Sequence, residues 1–277
     1  MNLVKNFWST SFCRLFWTSV DAKDMWERSV TSASRFVQEL EVLSVSEGHR
    51  PASWQTVSEK EFIPLSAKWA EMGLSALPVK RVAQFDGFAH RHQDPVEGKP
   101  ANICTVLAKD RSVCLEFRTA FEMGDHVTQG ELLGFPKCCT AFFDKVWKEG
   151  YVDPIWQAAE NSEIVEKEDR KLVVKAHPFS NPLLRYAGIR VGFHIPCSFS
   201  CQETVERATK RLALATKLDD NLSTLLLALL QMPMTWDVLH GIAVVKTPIL
   251  YLDVQSVPCI ENYIVEVQGS FVPREGA

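Results

Sequence analysis

Residues 134–139 read GFPKCC and place two adjacent cysteines directly after a proline, where a helix is predicted to begin. Proline suits the first helical position because its φ angle is already helical and it has no N–H to leave unpaired. Apolar residues then recur at helical spacing from residue 142 to 147, and Gly150 ends the run. We therefore predict a helix whose first turn carries Cys138 and Cys139.

A second cysteine segment, residues 194–201, reads HIPCSFSC. Ser200 and Glu203 match the S-x-x-E capping box, which predicts that Cys201 opens a helix and that Cys197 lies in the preceding loop. The unpaired N–H groups and the dipole at a helix N-terminus favour the negatively charged form of a nearby thiol. The two segments therefore predict thiolates that are available for metal binding or for nucleophilic attack.

The remaining sequence mixes helices and strands without a regular alternation. Helical spacing of apolar residues covers 25–40, 62–72, 205–215 and 222–230. Short β-type runs bounded by turn residues occupy 102–107, 112–121, 172–175, 241–245, 249–254 and 263–267. The charged stretch 160–171 is predicted to be a solvated helix or loop.

This order of elements predicts an α+β fold with a mainly antiparallel sheet, rather than a doubly wound α/β fold. No linker is long enough to separate two domains, so the whole chain, 1–277, is predicted to form a single domain. Within it we distinguish a helical N-terminal region, residues 1–75, from a region with the sheet and the cysteine site, residues 76–277.

Composition limits the classes of function. The chain has 277 residues, 46% of them hydrophobic, and a formal net charge of -4. The dispersed basic residues argue against nucleic acid as a partner. The sequence shows neither a signal peptide nor an apolar run of membrane-spanning length, so we expect a cytoplasmic protein with no membrane contact. In that reducing compartment, the 8 cysteines favour buried thiols and a metal or redox site over a disulfide framework.

Cys138, Cys139, Cys197 and Cys201 are the predicted cofactor ligands, and His194 is a further candidate ligand. Adjacent cysteines rarely reach the same ion, so three thiolates with one open or histidine-filled position is the natural count. Three thiolates suit a zinc ion, and they also hold an iron–sulfur cluster. Spacing alone does not separate the two, and we favour the iron–sulfur cluster, with zinc as the alternative. The other cysteines, including Cys104 and Cys114, are predicted to be core thiols.

The preferred functional prediction is a metalloenzyme that performs redox or sulfur chemistry on a small anionic molecule. Arg185 and Arg190 precede the second segment and offer planar forks for a carboxylate or phosphate, while His194 is placed to donate a proton. Two alternatives remain open. One is a metal-free thiol enzyme with Cys138 or Cys139 as nucleophile or redox pair, and the other is a binding protein with a structural zinc site. Simple burial of all four thiols also remains open.

The run G-F-P-x-C-C-x3-F, together with H-x-P-C-x3-C, resembles an uncharacterised prokaryotic domain-of-unknown-function family with a G-[FY]-P-x-C-C signature. The resemblance covers residues 132–208 and implies that the four cysteines belong together, but it implies no reaction. A separate candidate, His90 and His92 with Glu97, resembles half of a cupin metal site, although Asp94 and Pro95 favour a surface loop there.

Overall fold

A computed structural model describes residues 14–84, 93–151, 153–255 and 261–272 of the chain. The helices within these residues are α1 (Val20–Ser46), α2 (Glu59–Glu71), α3 (Arg111–Glu122), α4 (His126–Leu132), α5 (Lys137–Lys148), α6 (Ile155–Glu160), α7 (Gln202–Leu218) and α8 (Asp220–Leu230). Two short 3-10 helices, Pro178–Ser180 and Leu183–Ala187, precede α7.

The strands form two separate sheets. Their bounds are β1 (Arg14–Trp17), β2 (Ala52–Ser58), β3 (Ser75–Ala83), β4 (Ala101–Ala108), β5 (Glu163–Glu168), β6 (Lys171–Lys175), β7 (Met234–Leu239), β8 (Ile242–Lys246), β9 (Leu250–Gln255) and β10 (Tyr263–Val267). The larger sheet has the order β1-β9-β8-β7-β10-β6-β5, and the smaller has the order β2-β4-β3. All pairings are antiparallel except that of β10 with β6. The α+β class with a mostly antiparallel sheet is thus confirmed.

Helices cover both faces of the small sheet. Successive residues of its central strand, β4, point to opposite faces. In β4, Val106 packs with Phe117 of α3 on one face, whereas Leu107 packs with Trp69 of α2 on the other. Both faces of β4 are therefore apolar. This two-sided burial explains why residues 101–108 form a nearly continuous apolar run instead of an alternating one.

The large sheet buries one main core against helices. Its inward residues, such as Leu172 of β6 and Val245 of β8, pack with Val37 of α1 and Leu226 of α8 in one continuous cluster. The cluster also takes in Ile189 and neighbouring residues of the segment that leads to the second cysteine motif. The loop that carries Cys197 is therefore anchored in the main core, whereas Leu133 and Phe135, before the first cysteine pair, pack in the cluster of the small sheet.

The predicted strand at 112–121 is wrong, since these residues form helix α3. Its buried residues, Cys114, Phe117 and Ala120, recur every third position and face the small sheet. The side chain of Asp110 accepts a hydrogen bond from the Ser112 N–H, which caps the helix. The helical spacing of residues 112–121 was not recognised because this run is also rich in β-forming residues.

Two further differences concern the charged stretch and the N-terminal region. The segment predicted to be a solvated helix or loop contains the exposed edge strand β5, which pairs with β6. Charged side chains on both faces of this strand discourage pairing with another chain. The N-terminal region, residues 1–75, was predicted to be helical but also contributes β1 and β2, one to each sheet. Strand β7, which the sequence pattern did not predict, lies between β8 and β10.

Candidate metal centre

The first cysteine pair lies at the start of α5. Pro136 is the N-cap, and its carbonyl accepts the N–H of Thr140, so Cys138 and Cys139 occupy the first turn. Gly134 turns the chain into this helix with a φ of +70°, and a Cβ there would lie 2.9 Å from Cδ of Pro51. Both the left-handed backbone and the close contact require glycine. Residues 134–136, Gly-Phe-Pro, thus fix the direction in which the two cysteines enter the site.

The second cysteine segment ends at α7, but without the predicted capping box. Cys201 is itself the N-cap residue with extended backbone angles, and no side chain caps this helix. The preceding loop is instead held by hydrogen bonds from other segments. The Phe199 N–H donates to Ser162 Oγ at 2.8 Å, and Asn161 Nδ2 donates to the Cys197 carbonyl at 3.2 Å.

The two segments meet, and their four thiols form one group. The Sγ atom of Cys201 lies 3.7 Å from that of Cys138 and 3.6 Å from that of Cys139, while Cys138 and Cys139 are separated by 3.9 Å. All four sulfurs, including that of Cys197, lie within 4.8 Å of one another. Cys139 and Cys201 are buried, Cys197 is half-buried and Cys138 is exposed. Four cysteines so close together could bind a metal ion.

The thiols have very different proton affinities because they hydrogen-bond to one another. Hydrogen bonds from Cys139 and Cys197 lower the pKa of Cys201 strongly. Hydrogen bonds to Cys197 and Cys201, together with burial, raise the pKa of Cys139. A hydrogen bond with Cys139 lowers the pKa of Cys197, but its hydrogen bond to Cys201 and its burial outweigh this and raise the value to about 12. Without a metal, Cys201 is therefore the thiolate that accepts hydrogen bonds from its neighbours.

Backbone and hydroxyl groups around the sulfurs could stabilise thiolates. The Cys197 N–H donates to Cys139 Sγ at 3.3 Å. Thr204, one turn into α7, places its hydroxyl oxygen 3.5 Å from the same sulfur and 2.9 Å from Nε2 of His194. Donors around the ligand atoms are the usual second layer of a metal site. Thr204 therefore connects the predicted proton donor to the thiol group.

His194 stays uncharged in this environment. Loss of hydration is the main cause that lowers the pKa of its imidazole to about 3, followed by repulsion from Arg211. Its ring packs against that of Phe135 at 5.1 Å between centroids. Neutral His194 does not lie among the four closely grouped sulfur atoms but contacts them through Thr204.

Three arginines hold the backbone of the cysteine-bearing loops. Arg50 Nε donates to the carbonyl of Leu133 at 3.2 Å, and Arg207 Nη1 donates to that of Gly134 at 3.1 Å. Arg211 Nη1 donates to the carbonyl of Val191 at 3.1 Å, in the loop before the second motif. Positive charge is thereby concentrated beside the site.

The predicted substrate-binding arginines are occupied by carboxylates. Arg185 forms an ion pair of 2.6 Å with Asp153, and both side chains are buried. Arg190 bonds to Glu41 at 3.1 Å. Neither arginine is among the residues that line the cavity beside the cysteines. The structure thus brings His194 close to the thiols but gives Arg185 and Arg190 ion-pair partners within the protein.

A cavity of about 270 Å³ adjoins the thiol group. Its lining includes Cys139, His194, Phe135 and Phe143, and the described residues of the lining contain no lysine, arginine, aspartate or glutamate. The lining also offers the polar groups of His126, Gln129 and Thr140, so the cavity suits a largely apolar small molecule with a few polar groups.

The other cysteines divide into two groups. Cys104 and Cys114 are fully buried in and beside the small sheet, and burial raises the pKa of both thiols. Cys13 and Cys259 lie outside the described residues, as do His90 and His92 of the cupin-like candidate. Glu97 of that candidate is exposed.

Sequence reasoning did not identify Thr204, Arg50 or Arg211 as belonging to the site. Thr204 could have been found, because it lies three residues after Cys201 and therefore on the same face of α7. Arg50 offered no such signal, since it comes from the turn after α1 and reaches the site only in the folded chain.

Comparison with known proteins gives no match to a family model, a curated protein or a solved structure. Within the described residues, no helix has both the length and the apolar composition that crossing a bilayer requires.

Proposed function

We propose that Cys138, Cys139, Cys197 and Cys201 together bind one zinc ion. The spacing of the sulfurs carries this proposal. A zinc–sulfur bond of about 2.3 Å and tetrahedral geometry require neighbouring sulfurs to lie about 3.8 Å apart. The three separations with Cys138, Cys139 and Cys201 are 3.6, 3.7 and 3.9 Å. The adjacent cysteines, expected to compete for one ligand position, lie at a separation that suits joint binding.

The role best supported by a filled set of four thiolates is structural, because catalytic zinc sites keep one position open for water or substrate. The ion would join the start of α5 to the loop before α7, which are separated by more than 50 residues of sequence. It would thereby fix the start of α5, beside the cluster of the small sheet, to a loop anchored in the main core. The G-[FY]-P-x-C-C signature would then mark a family that shares this connection.

An iron–sulfur enzyme is the second candidate, and the exposure of Cys138 favours it. If this thiol turns towards solvent, three thiolates remain, which is enough to hold a cluster with one iron free. A cluster also places several iron and sulfide atoms between the thiolates, so the sulfurs would have to move apart. The cavity beside Cys139 would then take the small-molecule substrate, and neutral His194 would orient it. The lining favours an uncharged substrate over the anionic one predicted from sequence.

The test is the metal content of the protein purified without oxygen, measured together with its ultraviolet-visible spectrum. We expect one zinc per chain, no sulfide and no visible absorption. Replacement of zinc by Co²⁺ should give the intense thiolate-to-cobalt absorption bands of a four-thiolate site. Iron with stoichiometric sulfide would establish the second candidate instead. Protein without any bound metal after purification and reconstitution would contradict both, and would favour thiol chemistry at Cys138 or Cys139.

A further inference from the structure

Two arginine side chains are buried beside the cysteine-bearing segments, and among the residues that the structure describes Glu41 is the buried carboxylate that interacts with them. Arg50 is 4% exposed and Arg211 is 2% exposed. Glu41, itself buried, bonds to Arg50 at 3.0 Å and also to the more exposed Arg190. Arg211 forms no ion pair with any carboxylate among the residues that the structure describes. The balance of charge around Arg211 is therefore positive.

The contacts of Arg211 within the protein do not replace a counter-charge. One nitrogen donates to the Val191 carbonyl, and the guanidinium lies 4.8 Å from the centre of the Phe193 ring. Its Nε atom is buried and has no hydrogen-bond partner among the described residues. Burial and repulsion by Arg50 lower the pKa of Arg211 to about 9, against a smaller opposing attraction by Glu41, so the side chain still carries its charge at neutral pH without forming an ion pair. An unpaired buried charge is among the most costly features of a folded protein.

Helix α7 directs this charge towards the thiol group. Thr204, Ala208 and Arg211 are buried on one face of the helix, and Cys201 caps its start. Long side chains on a helix point back towards its N-terminus. The guanidinium contacts Val191 and Phe193, which precede His194 in the chain. His194 connects the guanidinium to the thiol group, because its Nε2 lies 2.9 Å from Thr204 Oγ1, and the pKa of its imidazole, lowered mainly by burial, is lowered further by Arg211 and raised by Cys201.

We propose that Arg211, supported by Arg50, is the counter-charge of an anionic metal–thiolate centre. This inference rests on the proposed function. Four thiolates outweigh the charge of a divalent ion, so the loaded centre is negative, and attraction between buried charges is weakly screened. Arg211 does not bind the metal. It is a positioning residue that makes the negative four-thiolate state more favourable and also holds the loop before the second motif.

The test compares Arg211→Met, which removes the charge but keeps much of the side-chain length, with Arg211→Lys, which keeps the charge. Zinc affinity is measured by competition with a chelator, and the unfolding temperature is measured for the zinc-free and zinc-loaded forms. The matched control is Arg118→Met, at an exposed arginine of α3 that pairs with Glu122 at 3.9 Å.

We expect Arg211→Met to weaken zinc binding roughly tenfold or more, corresponding to about 1.4 kcal/mol. The zinc-free form of the same variant should unfold at an unchanged or higher temperature, since an unpaired buried cation has been replaced by an apolar group. Arg211→Lys should stay within roughly threefold of the parent affinity, and Arg118→Met should match the parent. The Co²⁺ absorption bands should keep their positions in all variants, because the ligands are unchanged.

Equal zinc affinity for the parent protein and Arg211→Met would overturn the inference while leaving the zinc site established. Equal weakening by Arg211→Met and Arg211→Lys would also overturn it, because a loss independent of charge indicates packing alone. A parent protein that binds no metal would instead remove the proposed function and the inference together. If Arg211→Met does not fold, Arg211→Gln provides the same comparison of charge.

Discussion

Cys104 and Cys139 are both buried, and each lies beside a threonine hydroxyl, yet only one belongs to a candidate metal site. Cys104 Sγ lies 3.7 Å from Thr56 Oγ1 within the small sheet, and Cys139 Sγ lies 3.5 Å from Thr204 Oγ1. Cys139 belongs to the group of four thiols, whereas Cys104 does not. The difference arises from position in the fold. A cysteine inside a strand faces the core of its own sheet, but one at a helix start can meet thiols from a distant loop.

The same comparison shows that a high pKa has two origins here. For Cys104, burial is the main cause that raises the pKa, as expected for a thiol in an apolar core. For Cys139, hydrogen bonds to Cys197 and Cys201 are the leading causes, ahead of burial. A metal ion can displace the protons that these shared hydrogen bonds hold, but it has no comparable access to Cys104. The difference can be tested by changing matched residues in the two regions.

The largest effect is expected from Cys201→Ser, compared with Cys104→Ser. Loss of Cys201 removes a thiolate that lies 3.7 Å from Cys138 Sγ and 3.6 Å from Cys139 Sγ, so zinc content should fall from one per chain to almost none. The stabilisation by zinc should vanish with it, and this amounts to about 4 kcal/mol when free zinc exceeds the dissociation constant 1,000-fold. Cys104→Ser should keep its zinc and lose about 1–2 kcal/mol of stability from burying a hydroxyl. Metal analysis measures the zinc content, and thermal unfolding measures the stability. If Cys201→Ser kept its zinc, Cys201 would not differ from the core residue Cys104 as proposed.

Zinc binding should weaken steeply as the pH falls. In the metal-free state Cys139 and Cys197 have raised pKa values and are protonated at neutral pH, so an ion must displace a proton from each. A rise in pH removes this competition, and a fall in pH strengthens it. Displacement of at least these two protons changes the apparent affinity by at least about 100-fold per pH unit in the region below the pKa of Cys197. Chelator competition from pH 6 to 8, with proton release measured in weak buffer, tests this slope, and an affinity independent of pH would contradict the assigned protonation states.

Thr204→Val should weaken zinc binding, whereas Thr56→Val should not, and we expect this difference to be smaller than the preceding ones. The Thr204 hydroxyl contacts both Cys139 and His194, so its loss removes a hydrogen bond that stabilises a ligand. Changes in this second layer usually weaken metal binding about 10- to 100-fold. Thr56→Val makes the matched change beside Cys104 and should leave zinc affinity the same. Equal zinc affinities in the two variants would show that Thr204 has no role in the centre.

The smallest effect is expected from Cys114→Ala, which shortens a buried thiol packed against the small sheet. Removal of this one buried group should cost about 1 kcal/mol of unfolding free energy. Zinc content and affinity should not change, because the side chain hydrogen-bonds weakly to the carbonyls of Ser75 and Val106 rather than to the cysteine group. Denaturant unfolding with and without zinc gives both numbers. A reduced zinc content in this variant would show that the small sheet and the site are coupled.

A helix could be predicted from the sequence where one apolar face of the helix packs against a single core. Helix α8 follows its apolar spacing because it buries one face in the main core, and helix α1 does so over residues 25–40, before Val42 and Val45 pack beside the small sheet. Helix α3 was mistaken for a strand because its β-forming residues suit either structure, and only the position of the small sheet selected the helical face. Strand β5 has no buried face, so its charged residues carry no apolar period, and its structure depends on pairing with β6.

For the candidate site, local sequence determined how each half is built. The GFPKCC run starts a helix with its cysteines in the first turn, because proline and the left-handed glycine restrict the backbone there. Those constraints act within a few residues and can be recognised without a structure. The sequence likewise identified the set of four cysteines as candidates that belong together.

Only the tertiary structure decided the distances between the two cysteine segments. Those distances determine how many of the four sulfurs could bind the same ion. It also placed Arg50 and Arg211 beside the loops, whereas Arg185 was paired with Asp153. The physical reason is that contacts between distant segments depend on how whole elements pack in the core. Sulfur separations of 3.6 to 3.9 Å depend on where α5, which packs with α4, is placed relative to α7, which packs with α1 and α8, and no local spacing in the chain contains that information.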